Sequence, residues 1–149
     1  MRRRIPSQAL ILVCDGRKAL FLRNMGDAQF PNLAVAEVLK AKPNPPTSKQ
    51  GTDKPGRVLD RASGRHSAVD QTDWHMLEED HFAREIASAL QLREQAGEVS
   101  SLIVVAPPHI LAELRALFPH RLKAAVVEEI HKDLTKHPIY EIERLLTER

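Results

Sequence analysis

Ala9-Leu10-Ile11-Leu12-Val13-Cys14-Asp15-Gly16 is a run of six apolar residues stopped by an Asp-Gly step. A stretch that is apolar at every position, rather than at every second one, suits a strand buried on both faces in the middle of a sheet. Glycine enters positive φ at no steric cost, so Asp15-Gly16 reads as a tight turn. Ala19-Leu20-Phe21-Leu22 then returns as the second strand of a hairpin. The same run bears on location. Arg2, Arg3 and Arg4 precede it, but it is shorter than the roughly 7–15 apolar residues of a secretory h-region and the roughly 20 of a spanning helix. A cytoplasmic protein without a membrane span is therefore expected.

Downstream, residues 33–40 suit a third strand, with Leu33, Val35 and Leu39 on one face and Ala34, Ala36 and Val38 on the other. Pro31 lies before it, where a missing N–H does no harm. Residues 41–72 lose all apolar periodicity. Pro43, Pro45, Pro46 and Pro55 alternate with polar residues, and six Lys and Arg stand against three Asp, a surplus of three positive charges. The spacing predicts a long Pro-rich basic loop there, then a helix capped by Thr72 or Asp73 and running to about Gln95. Phe82, Ile86, Ala89 and Leu90 form its buried face, Glu78, Glu79 and Asp80 lie in its first turns, and Gly97 stops it. Leu102 to Ala106 is a second fully apolar strand. Pro107-Pro108 starts a helix with Ile110, Leu111, Leu114, Leu117 and Phe118 as its stripe. Val126 to Ile130 is the last strand, and Pro138 opens a final helix with Ile139, Ile142, Leu145 and Leu146 inward.

The order is β-β-β-α-β-α-β-α. Helical crossovers return strands parallel, so a meander followed by two crossover strands implies a mixed five-stranded sheet. Spatial order 3-2-1-4-5, with three main helices, puts the two fully apolar strands at the centre. This α/β plan resembles RNase H, in a single domain spanning residues 1–149. Hydrophobic residues at 42% and charged residues at 28% are ordinary for such a domain. A net charge of +2 on 22 basic and 20 acidic side chains says little about nucleic acid. The single cysteine, Cys14, excludes an intrachain disulfide and a multi-cysteine zinc site.

RNase H chemistry needs several carboxylates converging on divalent metal. Asp15 ends the first strand, and Glu78 or Glu79 offers a second acid. The third should follow the fourth strand, where the chain reads Val105-Ala106-Pro107-Pro108. Asp15 accordingly reads first as a turn residue. His75-Met76-Leu77-Glu78-Glu79 is not the HExxH of a zincin. There is no G-x-S-x-G elbow, Walker loop or dinucleotide fingerprint. No catalytic, metal or cofactor site is assigned, and none of these cofactors is expected.

Three patterns together resemble a known family. They are Gly64-Arg65-His66-Ser67-Ala68 followed by Asp73-Trp74-His75, Glu78-Glu79 and Phe82-Ala83; Val104-Val105-Ala106-Pro107-Pro108 with Leu111, Leu114 and Arg115; and Lys132-Asp133-Leu134-Thr135 before Pro138. The combination is similar to the bacterial host-attachment proteins, described as required for attachment to host cells. That family in turn resembles the RNase H-like middle domain of archaeal and eukaryotic peptide-release factors and pelota. The Gly-Gly-Gln loop of the release factors is absent, so this second resemblance implies the fold and not peptidyl-tRNA hydrolysis.

The expected function is thus a non-enzymatic interaction protein with an indirect or regulatory role in attachment. An RNA- or ribosome-associated module is the alternative, and a metal-dependent nuclease ranks behind both. The partner, protein or RNA, is not specified by the sequence. Candidate partner-binding residues are Arg57, Arg61 and Arg65 with His66, then Trp74 and His75, and His131, Lys132 and Asp133 at the end of the last strand. Ligands collect at such strand ends in open α/β sheets, and a cleft shared with residues 64–75 is expected there. Trp74 is read as packing the loop onto the core.

Overall fold

The computed structural model describes residues 4–42 and 67–148, and for 67–75 the backbone alone. Five strands form one sheet: β1 (Leu10–Cys14), β2 (Lys18–Asn24), β3 (Leu33–Lys40), β4 (Leu102–Val105) and β5 (Val126–Ile130). Their order across the sheet is β3-β2-β1-β4-β5. The pairs β1–β2 and β2–β3 are antiparallel, and β1–β4 and β4–β5 are parallel. The two fully apolar strands do lie at the centre, and every residue of both is buried.

Four helices accompany the sheet among the described residues: α1 (Ser67–Gln95), α2 (Pro108–Leu117), α3 (His120–Ala125) and α4 (Ile139–Thr147). One layer packs α1, α2 and α3 on the sheet face that carries Leu10, Leu12, Cys14, Phe21, Leu102 and Val104. Phe82, Ile86, Leu90, Ile110, Leu114 and Leu122 are the helical side of that core. The opposite face, with Ile11, Val13, Leu22, Ile103 and Val105, is covered by Ile5, Leu134 and the α4 residues Ile142 and Leu146. Each such fully buried side chain contributes about 1.5–3 kcal/mol of transfer free energy, so a domain held from both faces needs no covalent staple.

Three expectations change. Helix α1 begins at Ser67, not Thr72 or Asp73, which shortens the connection from strand β3 to residues 41–66. Glu78, Glu79 and Asp80 therefore sit about three turns into the helix, beyond reach of its N-terminal dipole. A fourth helix, α3, is inserted between α2 and β5. Its six residues bury only Leu122, too few for a periodic signal. Strand β3 carries a bulge: Phe21 pairs with Glu37 and Leu22 with Val35, leaving Ala36 extra. The extra residue moves Val38 to the face of Leu33 and Val35, and Leu39 to the other.

The end of α1 follows expectation. Gly97 adopts φ 77°, and the N–H of Glu98 reaches back to the Arg93 carbonyl at 2.9 Å, which satisfies a terminal carbonyl of the helix. Arg93 also fixes this end to the sheet. Its guanidinium lies 5.8 Å from the Phe21 ring centre and donates to Glu37 at 2.9 Å.

Candidate functional site

The carboxyl ends of β1, β4 and β5 bring three connections together, as the strand order requires. After β1, the Asp15 Oδ1 atom accepts from the backbone N–H groups of Arg17 and Lys18 at 2.8 and 2.7 Å. The Asp15 N–H donates to the Lys18 carbonyl at 2.9 Å. This is the turn role expected of it, although Gly16 does not take the positive φ on which that expectation rested. Its second oxygen does something more. Oδ2 accepts from the Thr135 hydroxyl at 2.9 Å, across 120 residues of sequence.

Thr135 belongs to the connection after β5 and is 2% exposed. Its hydroxyl lies 2.9 Å from Asp133 Oδ1 as well, and its N–H donates to the same oxygen at 3.3 Å. One hydroxyl proton thus faces two carboxylate oxygens and serves one of them at a time. The result is a polar clamp, Asp15–Thr135–Asp133, that joins the β1–β2 turn to the β5–α4 loop. Cys14 lies beneath it. Burial pushes its thiol well above the usual range, and the Asp15 and Asp133 charges push the same way. An environment of this kind disfavours the thiolate.

Helix α1 approaches from the other side. Glu79 lies against the backbone of Gly16, where an added Cβ would meet its carboxylate and push that side chain aside. His109, just after the double proline, is 3.6 Å from Glu79, and Arg17 is 3.9 Å from Glu78. Further along, burial raises Glu113 on α2 from an ordinary 4.5 to about 7. A hydrogen bond with Asp80 and the charges of Asp80 and Glu79 act in the same direction, against Arg84. Among the described residues no group of three or more His, Cys, Asp or Glu side chains is placed to hold a metal ion.

Of the residues singled out from the sequence, Arg57, Arg61, Arg65 and His66 lie outside the described residues. So do the Trp74 and His75 side chains, although both stand on α1. The packing expected of Trp74 and the cleft with residues 64–75 are therefore not described. His131, Lys132 and Asp133 are all exposed at the end of β5. They divide there: Asp133 turns to the clamp, while His131 lies near Glu129 and helps keep that carboxyl low. Its main partner is Arg115, which donates Nε to both carboxylate oxygens at 2.9 and 3.0 Å. Beside this pair an open groove of about 490 Å³ runs along the sheet edge, lined by Phe118, Lys123, Val126, Val127 and Glu128. Thr135 was missed as a member of the site. The signal for it is the Asp-x-Thr spacing of Asp133 and Thr135, which lets a hydroxyl and a carboxylate close a local turn.

Fold and loops together define a mixed α/β protein whose polar connections gather at one end of its parallel strands, over a buried thiol. The chain belongs to the family described as protein required for attachment to host cells, whose model matches residues 10–146. No curated protein matches it.

Proposed function

We propose that this protein serves host-cell attachment as a non-enzymatic recognition module, through a partner held at the carboxyl end of its sheet. The observation that carries the reading is the commitment of the Asp15 carboxylate. Both of its oxygens accept hydrogen bonds from the chain itself, two N–H groups on one and Thr135 on the other. Carboxylates used in this way build a rigid platform, and they leave His131 and Lys132 exposed beside it as the contact surface. The 3-2-1-4-5 order supports kinship with RNase H-like domains, and Asp15, at the end of the first strand, is the one clamp residue at a position expected for an acid of such enzymes. In this reading the scaffold is retained and its carboxylates are turned to structural use. A cytoplasmic location and an indirect, regulatory contribution to attachment complete the proposal.

The test is a strain lacking the chain, complemented with wild type or with a His131→Ala/Lys132→Glu variant. Attachment should fall on deletion, return with wild type, and fail to return with the variant at equal protein level. Normal attachment by the deletion strain sinks the proposal. Affinity capture from native lysate, with and without ribonuclease, reports the partner's chemistry: a protein survives the nuclease, whereas loss of the captured material marks an RNA-bound module instead.

A further inference from the structure

Among the described residues, strand β3 is an outer edge of the sheet, eight residues long and free of proline, with Val35 46% and Val38 44% exposed. Long apolar edges of this kind are templates for another strand. The bulge decides which strand fits. At one end of β3, the N–H of Ala41 donates to the Arg17 carbonyl; at the other, the Asn32 carbonyl accepts from Met25, so both residues turn their backbone groups toward β2. Antiparallel pairing alternates direction residue by residue. Counting inward by twos from each end, Ala34, Ala36, Glu37 and Leu39 face β2, while Leu33, Val35, Val38 and Lys40 face outward. Ala36 and Glu37 share a direction because they straddle the bulge. The Leu33 N–H confirms the count, since it turns away from β2 and donates to Glu143 at 2.9 Å.

The outward set is symmetric about the midpoint between Ala36 and Glu37. We infer that β3 pairs antiparallel with β3 of a second copy about a two-fold axis at that midpoint, which joins two molecules into one ten-stranded sheet. In this register Val35 lies opposite Val38 of the partner copy, Leu33 opposite Lys40, Ala34 opposite Leu39 and Ala36 opposite Glu37. Every pair has both residues on one sheet face, and the two Val35–Val38 pairs aim both backbones at each other, while at Leu33 the outward N–H is already held by Glu143 and only its carbonyl is left to the partner's Lys40. Of the self-pairing registers, this one alone matches the whole outward set. Four valines then close over the exposed face beside Leu20 and Leu22, where β-branched cross-strand pairs are favourable. Charge agrees as well. Each Glu37 is held by its own Arg93 at 2.9 Å, no like charges oppose each other, and Lys40 reaches the partner's Leu33 where Glu143 caps its N–H. Lys40 has no ion-pair partner among the described residues of its own chain.

The test uses the full chain. Sedimentation equilibrium from low to high micromolar concentration should show twice the chain mass of 16.8 kDa. A Val35→Cys/Val38→Cys variant should form a disulfide-linked dimer in mild oxidant, since hydrogen-bonded partners sit about 5.5 Å apart at Cα. Either single-cysteine variant should not, because like residues stand three positions apart, about 10 Å. The native Cys14 is buried and does not interfere. Val38→Pro deletes an outward N–H without touching the β2 ladder, and should return the chain to monomer mass with an unchanged circular dichroism spectrum. A monomer at every concentration overturns the inference, and so does a single-cysteine variant that cross-links as readily as the double one.

Discussion

At the scale of the residue, the site turns on one hydroxyl. Thr135 is buried, and its hydroxyl stands between two carboxylates, donating its proton to one of them at a time. Thr135→Val keeps the shape and removes the proton, which strips an acceptor of its partner at a cost of about 1–3 kcal/mol. The urea midpoint should fall accordingly with an unchanged slope, and Thr135→Ser should recover most of it; a Val variant as stable as wild type would show that the clamp holds nothing. Asp15 was legible because Asp-Gly after an apolar run has one common meaning, a turn, and its Oδ1 contacts have that meaning. The hydrogen bond from its Oδ2 to Thr135 was not legible. A contact across 120 positions is created by the fold, and no local pattern announces it.

At the scale of the element, the strands could be read from their apolar runs, and the irregularities could not. A bulge such as that at Ala36 adds one residue without changing composition, so Val38 and Leu39 were assigned to each other's faces. The start of α1 was obscured because Ser67 to Gln71 supply few apolar residues, and Thr72 and Asp73 imitate a cap. What α1 and α2 do to each other is testable through Glu113. Its carboxyl is raised from 4.5 to about 7 by burial first and by Asp80 second. A folded-state value above the unfolded one means that the fold prefers the protonated acid. The stabilisation is whole below about pH 4.5 and is lost as pH climbs through about 7. Against Glu113→Gln, which cannot titrate, the wild type should therefore lose melting temperature between these two values. Parallel pH profiles for the two proteins would refute the assignment.

At the scale of the whole molecule, the protein is unevenly protected. Among the described residues one sheet face lies under three helices and the other under a single short one, and the edge strand β3 leaves Val35 and Val38 exposed. Amide exchange reads this gradient directly, because a buried ladder opens only with global unfolding while an edge opens locally. The N–H groups of β1 and β4, central and wholly buried, should exchange slowest in the chain. Those of Val35, Val38 and Lys40, turned outward, should exchange fast in dilute protein and slow as concentration rises, for a second β3 supplies their acceptors. Leu33 provides an internal reference, since Glu143 already occupies its N–H and its protection should change little with dilution. Concentration-independent exchange at Val35 and Val38, with Leu33 equally steady, would mean that the edge remains open and that each copy works alone.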